Sequence, residues 1–173
     1  MNITLEGQKA TILHVNPRSE HRGDELEPAV DLKIAMDVSS DFLAQLSPSL
    51  KGMLFFYNEQ LDADLADRGS EAPHLRYPAL GLPLKWEEEM PDARVEILFN
   101  GARKPLVISP AKVNSISLTP RQGATVSVEM RIQFHPDESA AGRLATSIKQ
   151  EVSVSISEAP EEAPEDSLPG AAS

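Results

Sequence analysis

The sequence predicts a mostly β protein, either an antiparallel β-sandwich or a partly open barrel of about eight strands with two short helical segments. The clearest support is the alternation of apolar and polar residues over positions 124–134, which residues 30–38 repeat. A period of two places one face of a strand in a core and the other in water. Turn residues such as Asn100-Gly101 separate further short apolar runs.

The first third of the chain predicts short strands followed by helical turns. Strands are expected at residues 3–6 and 9–15, the second ending at Asn16-Pro17, and the charged residues 18–28 are expected to form an exposed connection. After the strand 30–38, serines at 39–40 and 47 have the character of helix N-caps. The segment 41–56 therefore predicts two short helical turns or one kinked helix.

Residues 58–92 are the least regular part of the sequence. Four prolines exclude a long helix or an internal strand across most of this segment. We predict one or two helical turns at Leu61–Asp67 and a short strand at Leu84–Trp86. A loop of this length in a small domain is usually functional or mobile.

The second half of the sequence predicts a four-stranded meander over residues 94–134. A hairpin is expected to join 94–99 to 104–108 through a type I′ turn at Asn100-Gly101. A strand at 113–118, with a bulge near Val113, and the strand at 124–134 complete the meander. A helix is predicted after Pro136 and a last strand at 152–157.

The charge distribution indicates one domain and a tail. Residues 1–150 carry 21 acidic and 16 basic residues, whereas residues 151–173 carry six acidic residues and no basic residue. The end of the chain also has three prolines and no aromatic residue, and such a segment does not bury enough apolar surface to fold. We therefore predict a single β-rich domain over residues 1–157 and a disordered, acidic, Pro/Glu-rich tail over residues 158–173.

The composition restricts the classes of function. The chain has no cysteine, which removes disulfides, thiolate metal sites and cysteine nucleophiles. Its first residues lack the pattern of a signal peptide, and its apolar runs are far shorter than a membrane span. We expect a soluble, cytoplasmic protein without a membrane partner, and in the host cytoplasm if a phage encodes it.

The sequence contains no pattern that predicts catalysis. It has neither a Gly-x-Ser-x-Gly elbow nor a glycine-rich phosphate loop. His135, with Asp137 and Glu138, could form one corner of a metal site, but the three fit better as a junction between a strand and a helix N-terminus. We predict no catalytic residue, cofactor or metal, and no enzymatic activity.

Two groups of residues are candidate contacts with a partner. The triplet Glu87–Glu89 beside Trp86 could form an acidic contact patch, although a solvated turn is the preferred interpretation of these residues. Basic residues of the meander could line a groove for single-stranded nucleic acid if they share one face or end. These residues are Arg103, Lys104, Lys112 and Arg121.

Three segments, residues 14–34, 82–87 and 134–144, together resemble a family of proteins of unknown function encoded by tailed phages and prophages. The resemblance covers most of residues 1–157 and not the tail. It implies a phage setting, in which small acidic proteins without cysteine commonly bind other macromolecules. It assigns no role to any residue.

We therefore predict a non-enzymatic phage or prophage protein that binds a host or phage protein, in DNA metabolism or counter-defence. An acidic surface of this kind can engage a nucleic-acid-binding protein by imitating phosphate charge. The alternative is an accessory protein that binds single-stranded nucleic acid and carries an acidic regulatory tail. A second alternative is a virion or assembly component, and the sequence leaves open whether the protein forms a homo-oligomer.

Overall fold

The structure is a computed structural model and describes residues 1–58, 74–81 and 83–161. The helical turns predicted at Leu61–Asp67 and most of the acidic tail lie outside the described residues. Within the described ranges the chain forms nine strands and three α-helices. The helices are α1 (Leu43–Leu46), which continues from a 3-10 turn at Ser40–Phe42, α2 (Leu50–Leu54) and α3 (Glu138–Ala145).

Every strand pair in the described ranges is antiparallel, and the sheet closes on itself. Six strands form the ring β7-β6-β9-β1-β2-β8, which the pairing of β8 with β7 completes. The short strand β5 is not one of these six strands but also pairs with β7, and β3 pairs with β4 in a separate two-stranded sheet. The strands are β1 (Leu5–Arg22), β2 (Glu25–Ser39), β3 (Phe55–Phe56), β4 (His74–Leu75), β5 (Leu84–Trp86), β6 (Met90–Phe99), β7 (Leu106–Arg121), β8 (Thr125–Phe134) and β9 (Glu151–Glu158).

The interior of the ring is filled by the inward side chains of its six strands. In β8 the burial alternates along the whole strand, so that Val126, Val128, Met130, Ile132 and Phe134 are buried while the residues between them are partly exposed. The helices lie at opposite ends of β8. Phe42, Leu43 and Leu54 join the core from the first helical region, and Leu144 joins it from α3.

The predicted mostly β, antiparallel class is confirmed, and the observed ring is a closed barrel with one additional strand. The alternating segments 30–38 and 124–134 form parts of β2 and β8, as predicted. The helical turns of residues 40–54 and the helix after Pro136 are also confirmed. The bulge predicted near Val113 appears as a register shift between Asn114 and Ser117.

The prediction that residues 18–28 form a connection between strands is wrong, although most of these residues are exposed, as predicted. Strand β1 continues through Asn16-Pro17 to Arg22 and pairs with β2 down to the pair Arg22↔Glu25. The turn holds Gly23 at φ +66° in the first central position, as a type II′ turn requires. Likewise Gly7, at φ +55°, does not separate two strands but lies at a register shift within β1.

The meander has three strands rather than four, because β7 runs through Ser109-Pro110, which has a cis peptide bond. Between the pairs Ala93↔Ala111 and Val95↔Ile108 the register of β7 shifts. Pro110 therefore lies in a bulge, where its missing N–H group interrupts no regular ladder.

The type I′ turn predicted at Asn100-Gly101 is also wrong. Strands β6 and β7 pair only as far as Ile97↔Leu106, so a longer loop connects them. Within that loop Ala102 N donates to Phe99 O, and Gly101 has φ +79° whereas Asn100 does not have a positive φ.

Two glycine-to-alanine substitutions are expected to change stability in opposite directions. A Cβ atom at Gly101 or at Gly142 meets no atom within 4 Å, so neither substitution causes a clash. Gly101→Ala is expected to cost about 1 to 2 kcal/mol, because alanine is strained at positive φ. Gly142→Ala, inside α3, is expected to add about 0.5 to 1 kcal/mol. Urea unfolding measures both, and a change of the same sign in both variants contradicts these backbone assignments.

Candidate functional site

The candidate site lies beside β7, at the point where its neighbouring strand changes from β6 to β5. Strand β6 pairs with β7 up to Met90↔Val113, and β5 takes the same side of β7 from Trp86↔Ile116 onward. Residues 87–89 connect the two and leave the ladder. Opposite this break β7 itself bulges, and Ser115 takes a left-handed conformation with φ +51°. Such backbone strain in a residue other than glycine is found preferentially at functional sites.

A cleft of about 510 Å³ opens at this break, and we call it the Trp86 cleft. Strands β2, β5, β7 and β8 and the connection 87–89 all contribute to its wall. The lining residues include Lys33, Lys85, Trp86, Glu87, Glu89, Asn114, Ser115, Ser117 and Arg131.

Trp86 is the chain's single tryptophan and anchors the wall of the cleft. In the ladder it lies opposite Ile116, and its partly buried side chain packs against the hydrophobic core. Its indole Nε1 is buried and has no hydrogen-bond partner within the described residues. A buried donor of this kind retains the capacity to bind an acceptor, and leaving it unpaired costs free energy.

A chain of hydrogen bonds crosses four strands on the outer face of the barrel and ends at Arg131. Arg18 Nε donates to Asp31 Oδ1 at 2.8 Å, and Gln133 Nε2 donates to the same oxygen at 2.9 Å. Asn114 Nδ2 donates to Gln133 Oε1 at 2.8 Å, and Arg131 Nε donates to Asn114 Oδ1 at 3.0 Å. Because Asn114 is only 5% exposed, these bonds hold its amide in one orientation, and that amide orients Arg131.

The electrostatics at the start of this chain favour the ionised form of Asp31. Desolvation by itself raises the pKa of Asp31, since its side chain is only 16% exposed. The hydrogen bonds from Gln133 and Arg18, together with the charges of Arg18 and Arg131, outweigh desolvation. The pKa of Asp31 is therefore lower than its ordinary value of 3.8.

Arg131 differs from two other arginines of the outer face, Arg18 and Arg94, in its partners. Arg18 pairs with Asp31 and Arg94 pairs with Glu96, whereas Arg131 donates to the neutral side chains of Asn114 and Ser115. The distance from Arg131 Nη2 to Ser115 Oγ is 2.8 Å. None of the described carboxylates forms an ion pair with Arg131, so its positive charge is not neutralised by direct contact.

The remaining charges of the cleft are partly compensated. Lys33 Nζ lies 2.9 Å from Glu129, and Glu89 lies 3.6 Å from Lys112 Nζ. Lys85 and Glu87 are exposed and form no ion pair within the described part of the chain. The uncompensated groups of the cleft are therefore two cations, Arg131 and Lys85, and one carboxylate.

A larger groove of about 650 Å³ adjoins the Trp86 cleft and shares Ser117 with it. Its charged side chains are largely engaged with one another. Lys9 pairs with Glu151 at 3.2 Å, and Arg121 donates to Ser127, which donates to Asp37. This groove offers no comparable uncompensated cation beside an aromatic side chain, so we take the Trp86 cleft as the candidate site.

The structure places the predicted contact patch Trp86–Glu89 partly at the cleft. Trp86, Glu87 and Glu89 line it, and Glu89 also accepts from Asn114 Nδ2 at 3.4 Å. Glu88 is not among the lining residues and lies 3.8 Å from the terminal amine of Met1. The triplet is thus not one uniform acidic patch.

The four basic residues predicted to contact nucleic acid do not share one face or end. Arg103 and Lys104 lie in the loop before β7, and Arg121 is its last residue. Sixteen residues of β7 separate them, roughly 50 Å along the strand. Lys112 lies between these ends and pairs with Glu89.

His135 lies at the junction between β8 and α3, as the preferred interpretation predicted. Asp137 caps α3 by accepting from Ala140 N at 2.7 Å. The His135 ring is 3.1 Å from Pro28 O through Nδ1. Within the described residues, no group of three or more potential metal ligands comes together.

The sequence interpretation missed Lys33 and Asn114, and it counted Arg131 among the basic residues of the meander without assigning it to the groove. Lys33 and Arg131 occupy polar positions of alternating strands, which in sequence resemble any solvated strand face. Asn114 offered the one usable signal, because in the sequence it is a polar residue in phase with the apolar Ile116 and Leu118. The bulge between Asn114 and Ser117 places it on the outer face instead, opposite Arg131.

No family model, curated protein or solved structure matches this chain. No helix in the described ranges is long and apolar enough to cross a membrane.

Proposed function

We propose that this protein is a non-enzymatic binding protein that engages a protein partner through the Trp86 cleft. The observation that carries the proposal is the hydrogen-bonded chain that holds Arg131 at the cleft. A side chain fixed in this way loses little conformational entropy on binding. The resemblance to tailed-phage proteins supports a phage setting, with a target in DNA metabolism or counter-defence.

The composition of the cleft favours a protein as the ligand. Tryptophan and arginine are the residues that most often dominate the binding energy of protein interfaces. Here Trp86 and Arg131 line the same cleft, with charges of both signs around them. This mixture suits a polypeptide, whose side chains alternate in polarity, better than a uniformly charged polymer.

Binding of single-stranded nucleic acid is the alternative, and it has less support. A backbone of phosphates requires a continuous track of cations. The predicted basic residues are spread along the length of β7, and Lys112 is already paired with Glu89.

Site-specific photo-crosslinking tests the proposal. The full chain carries a photoreactive amino acid in place of Lys85, at the cleft, or in place of Ser157, on the outer face of β9. In infected cells, the variant at position 85 is expected to form a discrete crosslink to one protein, which mass spectrometry identifies. The variant at position 157 is the control and is expected not to form that crosslink.

Two results contradict the proposal. One is the same crosslinked protein at both positions, which indicates contact outside the cleft. The other is a crosslink at position 85 that nuclease removes, which indicates nucleic acid as the ligand.

A further inference from the structure

We infer that the Trp86 cleft recognises a carboxylate side chain in an acidic segment of its protein partner. This inference deepens the proposed function and depends on it. Recognition centres on Arg131, with Lys85 contributing charge at the rim and Trp86 contributing apolar surface.

The balance of charge at the cleft calls for an anion. Of its three cations, Lys33 is already paired with Glu129, whereas Arg131 and Lys85 have no carboxylate partner within the described residues. Glu87 is the one uncompensated carboxylate that opposes them. An incoming carboxylate therefore gives Arg131 the kind of pairing that Arg18 and Arg94 already have within the chain.

The geometry of Arg131 leaves donors for that anion. A guanidinium has five N–H donors, and two of these are used by Asn114 and Ser115. Both of these acceptors are neutral, so no carboxylate among the described residues is in direct contact with the guanidinium. An arginine–carboxylate contact with two parallel hydrogen bonds is stronger and more specific than a contact with a neutral acceptor.

The same cleft disfavours a nucleic acid strand. Glu87 and Glu89 line it beside the cations, and Glu129 adjoins Lys33. Successive phosphates on a strand would meet these carboxylates, whereas a single carboxylate on a peptide can lie beside Arg131 and Lys85 and avoid them. The ligand we commit to is therefore an acidic peptide segment.

Fluorescence of Trp86 provides a direct assay, because it is the chain's single tryptophan and lines the cleft. The full-length protein is titrated with the peptide acetyl-Ala-Leu-Glu-Glu-Leu-Ala-amide and with the same peptide carrying glutamine for glutamate. We expect a saturable change with the glutamate peptide at least about tenfold tighter than with the glutamine peptide, and weakened by salt.

Four variants test the charge argument. Arg131→Gln is expected to weaken binding of the glutamate peptide about tenfold or more, and Lys85→Gln by a smaller factor. Glu87→Gln is expected to strengthen binding, because it removes a like charge. Arg94→Gln, an outer-face arginine already paired with Glu96, is the matched control and is expected to have no effect. Lys85 is exposed, so its variant remains informative even if Arg131→Gln fails to fold.

Three results overturn the inference. The first is equal affinity for the glutamate and glutamine peptides. The second is a response to the glutamate peptide that Arg131→Gln and Lys85→Gln leave unchanged. The third is tighter binding of oligothymidylate than of the peptide, lost in the same variants, which assigns the cleft to phosphate.

The crosslinking and peptide experiments together distinguish the two proposals. If crosslinking at position 85 captures a protein while the peptides fail to bind, the proposed function stands and only the carboxylate specificity is wrong. If both experiments fail, the proposed function itself is wrong.

Discussion

Replacing Ile132 with alanine is expected to lower the free energy of unfolding by about 2 to 5 kcal/mol. Ile132 is fully buried in β8, opposite Leu32 of β2 and Val113 of β7. Its side chain therefore lies between those of both strands that flank β8, the strand that closes the ring. Removing its outer carbons leaves a cavity that the two flanking strands cannot fill, because closure holds them at fixed spacing. Urea unfolding followed by circular dichroism measures the change.

Ile148→Ala is the matched control for this prediction. The same atoms are deleted, but Ile148 is 40% exposed and follows α3 rather than lying in the core. Its effect is expected to be within about 0.5 kcal/mol. Comparable losses in the two variants would mean that β8 is not the tightly packed closing strand described here.

Asp31→Ala is expected to cost about 1 to 3 kcal/mol near neutral pH. The substitution leaves Arg18 and Gln133 without the acceptor that they share. Gln133, which accepts a hydrogen bond from the buried Asn114, is then no longer held by Asp31. Because Arg131 is oriented through the same chain, the variant is also expected to bind the partner peptide more weakly. Chemical unfolding and the fluorescence titration measure these two effects separately.

The cost of Asp31→Ala is expected to depend on pH in a defined direction. Folding lowers the pKa of Asp31 below its ordinary value of 3.8, so the ionised carboxylate stabilises the folded state at any pH above that value. This contribution is lost as the pH falls through the lowered pKa. The difference between the wild type and the variant is therefore expected to be constant near neutrality and to shrink once the pH falls below about 4.

Asp92→Ala is the matched control for Asp31→Ala. Asp92 is exposed in β6, and its side chain forms no hydrogen bond or ion pair within the described ranges. The cost of this substitution is expected to be small, because no side-chain pairing is lost. A difference for Asp31→Ala that grows on acidification would contradict the pairing with Arg18.

The fold class was predictable because β2 and β8 separate a buried face from an exposed face over many residues. The hairpin of β1 and β2 was not, because it extends past the last β2–β8 pair, Val30↔Phe134. Beyond that pair no core lies against either of its faces, so its residues show no alternation. Barrel closure was equally hidden, since the pairing of β1 with β9 joins residues from the two ends of the described chain.

The candidate site was only partly predictable for a related reason. Trp86 and the glutamate triplet are adjacent in sequence and could be singled out as a contact patch. Lys33, Asn114 and Arg131 come together only through the register of three strands, and a shift of one residue would turn each side chain to the opposite face. A single sequence does not specify that register, because its alternation fixes which residues face inward and not which residues lie opposite.

The ladder between β1 and β9 also sets when this protein can fold. Leu5 lies opposite Ile156, so the first strand cannot complete its sheet until nearly all of the described chain has been synthesised. A topology with such distant pairings folds on the slower scale of about milliseconds to seconds. During translation the early strands therefore leave the ribosome with an unpaired edge, and this protein is expected to depend on protection of the nascent chain until its ninth strand arrives.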